Sequence, residues 1–232
     1  MDKSKKIAWT AIVTLIFVLI VIVELCAEYF ANKQLVFIAK PLITILVAIL
    51  YLINSSEKSS IFLLSLFFGL LSTILFIPND PTSLLWGVSV FAVHRIFLII
   101  FLIKLLQKTD YFPIIIASMP VLIIFSYLVT ITADLDATTL IIFSVNNILI
   151  AFFSGIVVAN YMMKDEDNNT WLLISSLMFI ALQLIVYIEK FYLLEFSPKI
   201  LRPTAVLFLA MAMFTLVRGV LSQERLNSNT SS

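Results

Sequence analysis

The sequence predicts an all-α membrane protein: a bundle of eight transmembrane helices with both termini in the cytoplasm. Three observations carry this. The chain is 62% hydrophobic and only 12% charged, against about 45–50% apolar and about 25% charged in soluble domains. Its apolar residues fall into eight runs, each near the ~20 residues that cross a bilayer. The runs are joined by short connections with turn chemistry, which leave no room for a soluble domain.

The first run, Ile7–Glu28, follows Lys3, Lys5 and Lys6 and resembles a secretory signal. It exceeds the ~7–15 residues of a cleavable core and lacks a small-x-small site, so it reads as a retained helix. The others are Leu35–Ile53, Ser60–Ile77, Leu84–Leu106, Phe112–Thr132, Ala137–Met162, Trp171–Leu194 and Lys199–Leu221. The turns between them include Asn54-Ser55-Ser56, Pro78-Asn79-Asp80-Pro81, Asp134 to Asp136 and Asp165 to Asn169. Residues 1–222 therefore form one domain, and polar residues 223–232 read as a disordered cytoplasmic tail.

Lysine and arginine set the orientation. Lys3, Lys5, Lys6, Lys58, Lys104, Lys108, Lys164, Arg218 and Arg225 fall at the termini or even-numbered loops; Lys33, Lys199 and Arg202 fall at odd-numbered loops. Nine against three places both ends inside, and the expected location is a bacterial cytoplasmic (inner) membrane. A net charge of +1 argues against nucleic-acid binding, which requires a clustered basic face. The single cysteine, Cys26, excludes an internal disulfide or a cysteine-cluster metal site and reads as a packed apolar residue. With one histidine, no metal is expected, nor any other cofactor. Nucleotide-type glycine loops, HExxH and G-x-S-x-G motifs are all missing from the sequence.

Charges within the apolar runs are the functional signal, because each costs roughly 2.5–3.5 kcal/mol at mid-bilayer and such groups face interior cavities. At 1.5 Å per residue, Glu24, Lys40, Glu189 and Lys190 lie about 6–8 Å below the outer helix ends, and His94 and Arg95 about 15–17 Å. A shared outer-half polar pocket is expected. Glu24 and Glu28 share a helix face; Glu28 reads as interfacial and solvated, and Glu24 either faces the pocket or pairs with Lys40 or Lys190. Lys40, beside a proline tolerated in a first turn, either snorkels outward or serves the pocket. His94 is either a proton carrier or a hydrogen-bonded packing residue. Arg95 calls for a carboxylate or phosphate partner, best a bidentate one, with Glu189 and Glu24 the nearest carboxylates in depth. Gln183, Tyr187 and Lys190 form one stripe of the seventh helix, with Glu189 turned aside. Ser144, Asn147, Ala151 and Ser154 stripe the sixth, and Ser65, Gly69 and Ser72 the third, as close-packing faces.

Several short motifs, in order, resemble the YhhN-like family of eight-helix membrane proteins, which includes lysoplasmalogenases. These are Lys40-Pro41-Leu42, Gly87 with Phe91 and His94, Lys190-Phe191 and Pro203-Thr204. The resemblance implies a lysophospholipid-type ligand and hydrolysis of the vinyl-ether bond of lysoplasmalogens. The chain departs from the family at its two motif aspartates, where Thr73 and Gln183 stand. It departs again at Ala205 and Val206, and in placing the histidine one residue early, with Arg95 in the expected position. Enol-ether hydrolysis needs a proton donor and a base, which Thr73 and Gln183 do not supply. Glu189 and Glu24, with His94, are the candidates to take over that chemistry. Lys40, Arg95, Gln183, Tyr187, Lys190, Thr73 and Asn147 are the candidates to bind substrate. A non-catalytic relative binding a membrane lipid or partner is the alternative, and a small ion- or proton-coupled transporter the third reading.

Overall fold

The computed structural model describes residues 3–78, 80–106, 111–132, 136–163, 169–193 and 198–230. The expected turn residues Asn79, Asp134 and 165–168 lie outside them, as do Lys108, Lys164, Leu194 and residues 231–232.

Among the described residues the chain is helical, without strands. The helices are α1 (Lys3–Tyr29), α2 (Lys33–Asn54), α3 (Ser60–Leu75), α4 (Pro81–Leu106), α5 (Tyr111–Ile131), α6 (Ala137–Met163), α7 (Thr170–Tyr187) and α8 (Leu201–Thr230). A single π turn, Ile188–Tyr192, extends α7. All but α3 contain a segment long and apolar enough to cross a membrane, seven in number, and the protein is an integral membrane protein. The exception is α3, whose 16 residues span about 24 Å at 1.5 Å per residue.

Sequence neighbours pack as antiparallel pairs: α1 on α2, α3 on α4, α5 on α6 and α7 on α8. Further contacts of α2 with α3, α4 with α6, α6 with α7 and α8 with α1 close a ring. α8 also touches α2 and α4 across it. α5 packs chiefly on α6, burying Ile114 and Phe125 while Ile115, Ile116, Ile123 and Ile124 face outward. An apolar surface all round suits a helix with lipid on one side and protein on the other.

Glycine sets the closest approaches. A Cβ on Gly155 of α6 would collide with Ser118 Oγ of α5, and one on Gly219 of α8 would lie 2.7 Å from the Leu172 side chain of α7. Both places need a residue without a side chain for the backbones to meet.

Three expectations are corrected. α8 continues to Thr230, so residues 223–230 are helical rather than a loose tail. Glu224 is buried there and accepts hydrogen bonds from Tyr51 Oη (3.0 Å) and Ser55 Oγ (2.8 Å), while Asn227 Nδ2 donates to the Leu105 carbonyl at 2.9 Å. Those polar partners on α2, its C-cap and α4 hold the last turns of α8 where hydropathy ends. Pro41 lies inside α2, not in its first turn, and leaves the Phe37 carbonyl without its helical donor. Cys26 is exposed rather than packed, on the outer surface beside Tyr29, Ile200 and Leu207.

Candidate functional site

The ends of α1, α3, α5 and α7 and the starts of α2, α4, α6 and α8 lie at one end of the bundle, here called the odd-loop end, because successive helices alternate in direction. A cavity of about 260 Å³ opens there among α2, α3, α4, α6, α7 and α8. Its wall is apolar, with Val36, Phe76, Leu84, Val88, Phe91, Phe143, Val186, Val206 and Leu209. Its charged lining is Glu28, Lys33, Lys40, Glu189, Lys190 and Arg202, and its neutral polar lining includes Ser72, Thr73, Asn146 and Gln183.

The charges gather at the mouth because Glu28, Lys33, Glu189, Lys190 and Arg202 come from helix ends, and Lys40, eight residues into α2, joins them through Glu28. Glu28 lies at the end of α1, Lys33 begins α2, and Arg202 is the second residue of α8. Lys40 Nζ lies 2.8 Å from Glu28 Oε1, and Arg202 Nε lies 2.9 Å from Glu189 Oε1. These pairs tie α1 to α2 and α7 to α8. Glu189 is buried although Arg202 is half exposed, so the carboxylate is fixed and the guanidinium reaches down to it. Glu189 and Lys190 sit within the π turn; such turns are frequent at functional sites.

Beneath the cavity, Arg95 of α4 is buried and has amide partners. Nη1 donates to the Asn146 carbonyl (2.9 Å) and Oδ1 (3.2 Å), and Nη2 donates to Gln183 Oε1 (2.8 Å). Its guanidinium also lies 4.5 Å from the Phe91 ring centre, a favourable cation–π placement. Asn146 in turn donates to the Val88 and Ile142 carbonyls, and Gln183 Nε2 donates to Asn147 Oδ1 at 3.4 Å. The two amides aim their oxygens at Arg95 and form the floor of the cavity.

His94 points elsewhere. Its Nδ1 lies 2.8 Å from the Ser65 carbonyl, Ser65 Oγ donates to the His94 carbonyl at 3.1 Å, and the ring stacks on Phe91. This reciprocal contact clamps α3 to α4, with Gly69 leaving room for the imidazole: a Cβ there would lie 3.2 Å from Nδ1.

Of the residues singled out in the sequence, Lys40, Thr73, Gln183, Glu189 and Lys190 line the cavity. Arg95 and Asn147 stand behind its floor through Asn146 and Gln183. Glu24, His94 and Tyr187 are not in its lining. Glu24 is buried one turn below Glu28, and neither carboxylate oxygen has a hydrogen-bond partner. Tyr187 packs its ring on Phe125, Phe143 and Phe191, so the cavity face of α7 runs through Leu182, Gln183, Val186, Glu189 and Lys190 instead. Two pairings are corrected. Arg95 is held by amides, where a carboxylate or phosphate was expected. Glu28, expected in solvent, is the carboxylate that pairs with Lys40. Sequence reasoning missed Lys33 and Arg202, which the count of loop charges had placed at this end without assigning them to the pocket. Among the described residues no group of three His, Cys, Asp or Glu side chains is placed to hold a metal.

No family model, no curated protein and no solved structure matches this chain.

Proposed function

We propose that this protein is an eight-span member of the YhhN-like family, both termini cytoplasmic, that binds a lysophospholipid-type lipid in the outer half of the membrane. One observation carries the reading: cations from α2, the π turn and α8 surround the mouth of a cavity whose wall is otherwise apolar. A charged rim over an apolar wall suits a ligand with a polar head and one hydrocarbon chain. The positions at which the resembled family carries its two aspartates, Thr73 and Gln183, both line this cavity, and their neighbours Ser72 and Leu182 do so too.

Binding without turnover is the form we favour. Thr73 and Gln183 are no substitute for an acid–base pair. The two carboxylates of the lining, Glu28 and Glu189, are each engaged by a cation, and Glu24 lies outside it. Transport has less support. Beyond the floor the buried side chains are largely apolar, among them Leu98, Leu102, Phe62, Phe101, Ile150 and Phe153, and polar ones there such as Ser154, Ser175, Ser176 and Thr215 are uncharged.

Native mass spectrometry of gently solubilised protein tests this directly. A co-purified single-chain phospholipid that survives incubation unchanged is the expected result. Cleavage of a vinyl-ether lysolipid would establish the hydrolase instead. Protein that takes up no lysolipid would overturn the binding reading.

A further inference from the structure

The charges of the lining also indicate which headgroup the cavity takes. Four cations line it, Lys33, Lys40, Lys190 and Arg202, against the two carboxylates Glu28 and Glu189. Among the described lining residues the formal balance is therefore 4 − 2 = +2. Both carboxylates are closed by ion pairs of 2.8 and 2.9 Å. Two charges of opposite sign stand just outside the lining and offset one another: Arg95 behind the floor, with amide partners, and Glu24, one turn from Glu28 and coupled to Lys40.

Among the described residues of the lining, nothing is placed to receive an ammonium group. A choline or ethanolamine head would have to draw a carboxylate away from its cation, or rest in a cage of aromatic faces. The lining has neither tryptophan nor tyrosine. Its three phenylalanines are already occupied: Phe91 carries the Arg95 guanidinium and His94, Phe76 abuts Phe91, and Phe143 meets Tyr187 and Phe191.

We infer that the cavity selects a phosphomonoester on a single hydrocarbon chain, a lipid whose head ends at a dianionic phosphate and bears no ammonium. Such a head carries about −1.5 to −2 near neutral pH and suits a lining in which cations outnumber carboxylates. A zwitterionic head brings no net charge, and a carboxylate brings half as much. The inference rests on the proposed lipid-binding reading and narrows its ligand class.

The test is a competition read by native mass spectrometry on the full chain in an uncharged maltoside detergent. Oleoyl lysophosphatidate competes with oleoyl lysophosphatidylcholine, oleate and inorganic phosphate at equal concentration. The phosphomonoester adduct should exceed each of the others by about tenfold at pH 7.5, the scale expected of charge complementarity. The preference should shrink as pH falls through about 6, where a phosphomonoester loses its second charge. Lys33→Gln should also shrink it; a variant that binds lipid with the parent's ratios would overturn the assignment. Equal or tighter uptake of lysophosphatidylcholine or oleate would overturn the headgroup inference and leave lipid binding standing. Binding of inorganic phosphate as tight as that of the lipid would make this a soluble-anion site and overturn the single-chain claim. No uptake of any lipid would overturn both this inference and the reading beneath it.

Discussion

Arg95 Nη2 and Gln183 Oε1 are joined by a 2.8 Å hydrogen bond beneath the cavity floor, linking α4 to α7 through an amide where a carboxylate or phosphate was expected. The guanidinium is buried, so its donors depend on this acceptor and on Asn146. Gln183→Leu keeps the volume and removes the acceptor. It should destabilise the protein by about 2–3 kcal/mol, the scale of hydrogen bonds to charged groups. Thermal denaturation in detergent reads this, and Gln183→Glu, which keeps an acceptor, should recover most of the loss.

The opposite end has its own buried carboxylate. Tyr51→Phe removes one of the hydrogen bonds to Glu224, and the Ser59 N–H also loses its acceptor. The ring contact with Phe62 is preserved. The expected loss is about 1–2 kcal/mol, and Glu224→Ala should lose more because Tyr51 and Ser55 are both left without it. Faster hydrogen exchange in the last two turns of α8 would identify the cause as release of that segment.

At the α5–α6 contact, Gly155→Ala should be among the most damaging small changes. The new methyl would collide with Ser118 Oγ and lie 2.7 Å from the Ile114 carbonyl, so α5 must move away. Overpacking of this kind costs about 1–3 kcal/mol. Because α5 packs chiefly on α6, the variant should expose α5 to protease before the other helices; a parent-like digestion pattern would refute this.

Two loop carboxylates shape the acid limb of stability. Asp80 accepts a hydrogen bond from the Ser83 N–H and Asp136 from the Thr139 N–H. Hydrogen bonds from Ser83 and Thr139 hold the two carboxyls below the usual carboxylate range. Since the folded value is the lower one, their contribution is present above the ordinary value near 4 and fades as pH falls through the folded value. Asp80→Asn should keep the cap and flatten that fall, whereas Asp80→Ala should also lower the melting temperature at pH 7.

Glu189→Gln separates the roles of the mouth. If Glu189 were a catalytic acid, any lysolipid hydrolysis would vanish in the variant. If the cations hold an anionic head, removing this negative charge leaves Arg202 without its counter-charge, and lipid should bind a few-fold tighter, in keeping with charge complementarity. A titration with oleoyl lysophosphatidate distinguishes the two.

Depth was legible in this sequence, and rotation was not. Run lengths located α1, α2, α4, α5 and α6 to within a few residues, and alternation of helix direction brought Lys40, Glu189 and Lys190 to one level. Which way each side chain turns depends on the neighbour it meets. Thus Tyr187, sharing a stripe with Gln183, turned into the Phe125–Phe143 cluster, while Glu189, expected to turn aside, faces the cavity. Arg95 looked as though it required an opposite charge because Asn146 and Gln183 come from two distant segments, and their convergence has no local signature. The end of α8 was missed because hydropathy is blind to a polar helix held by Tyr51, Ser55 and the Leu105 carbonyl.

The π turn of α7 is a helix carrying one residue more than its winding needs. Deleting a single residue between Ile188 and Tyr192 would let the turn close into ordinary α geometry, and every position after the deletion would swing by about 100°, the angle one residue subtends. The segment would remain helical and as hydrophobic as before, yet the stretch of chain leading to Arg202 would leave in a different direction. In a gene, that change is three nucleotides long and leaves the reading frame intact.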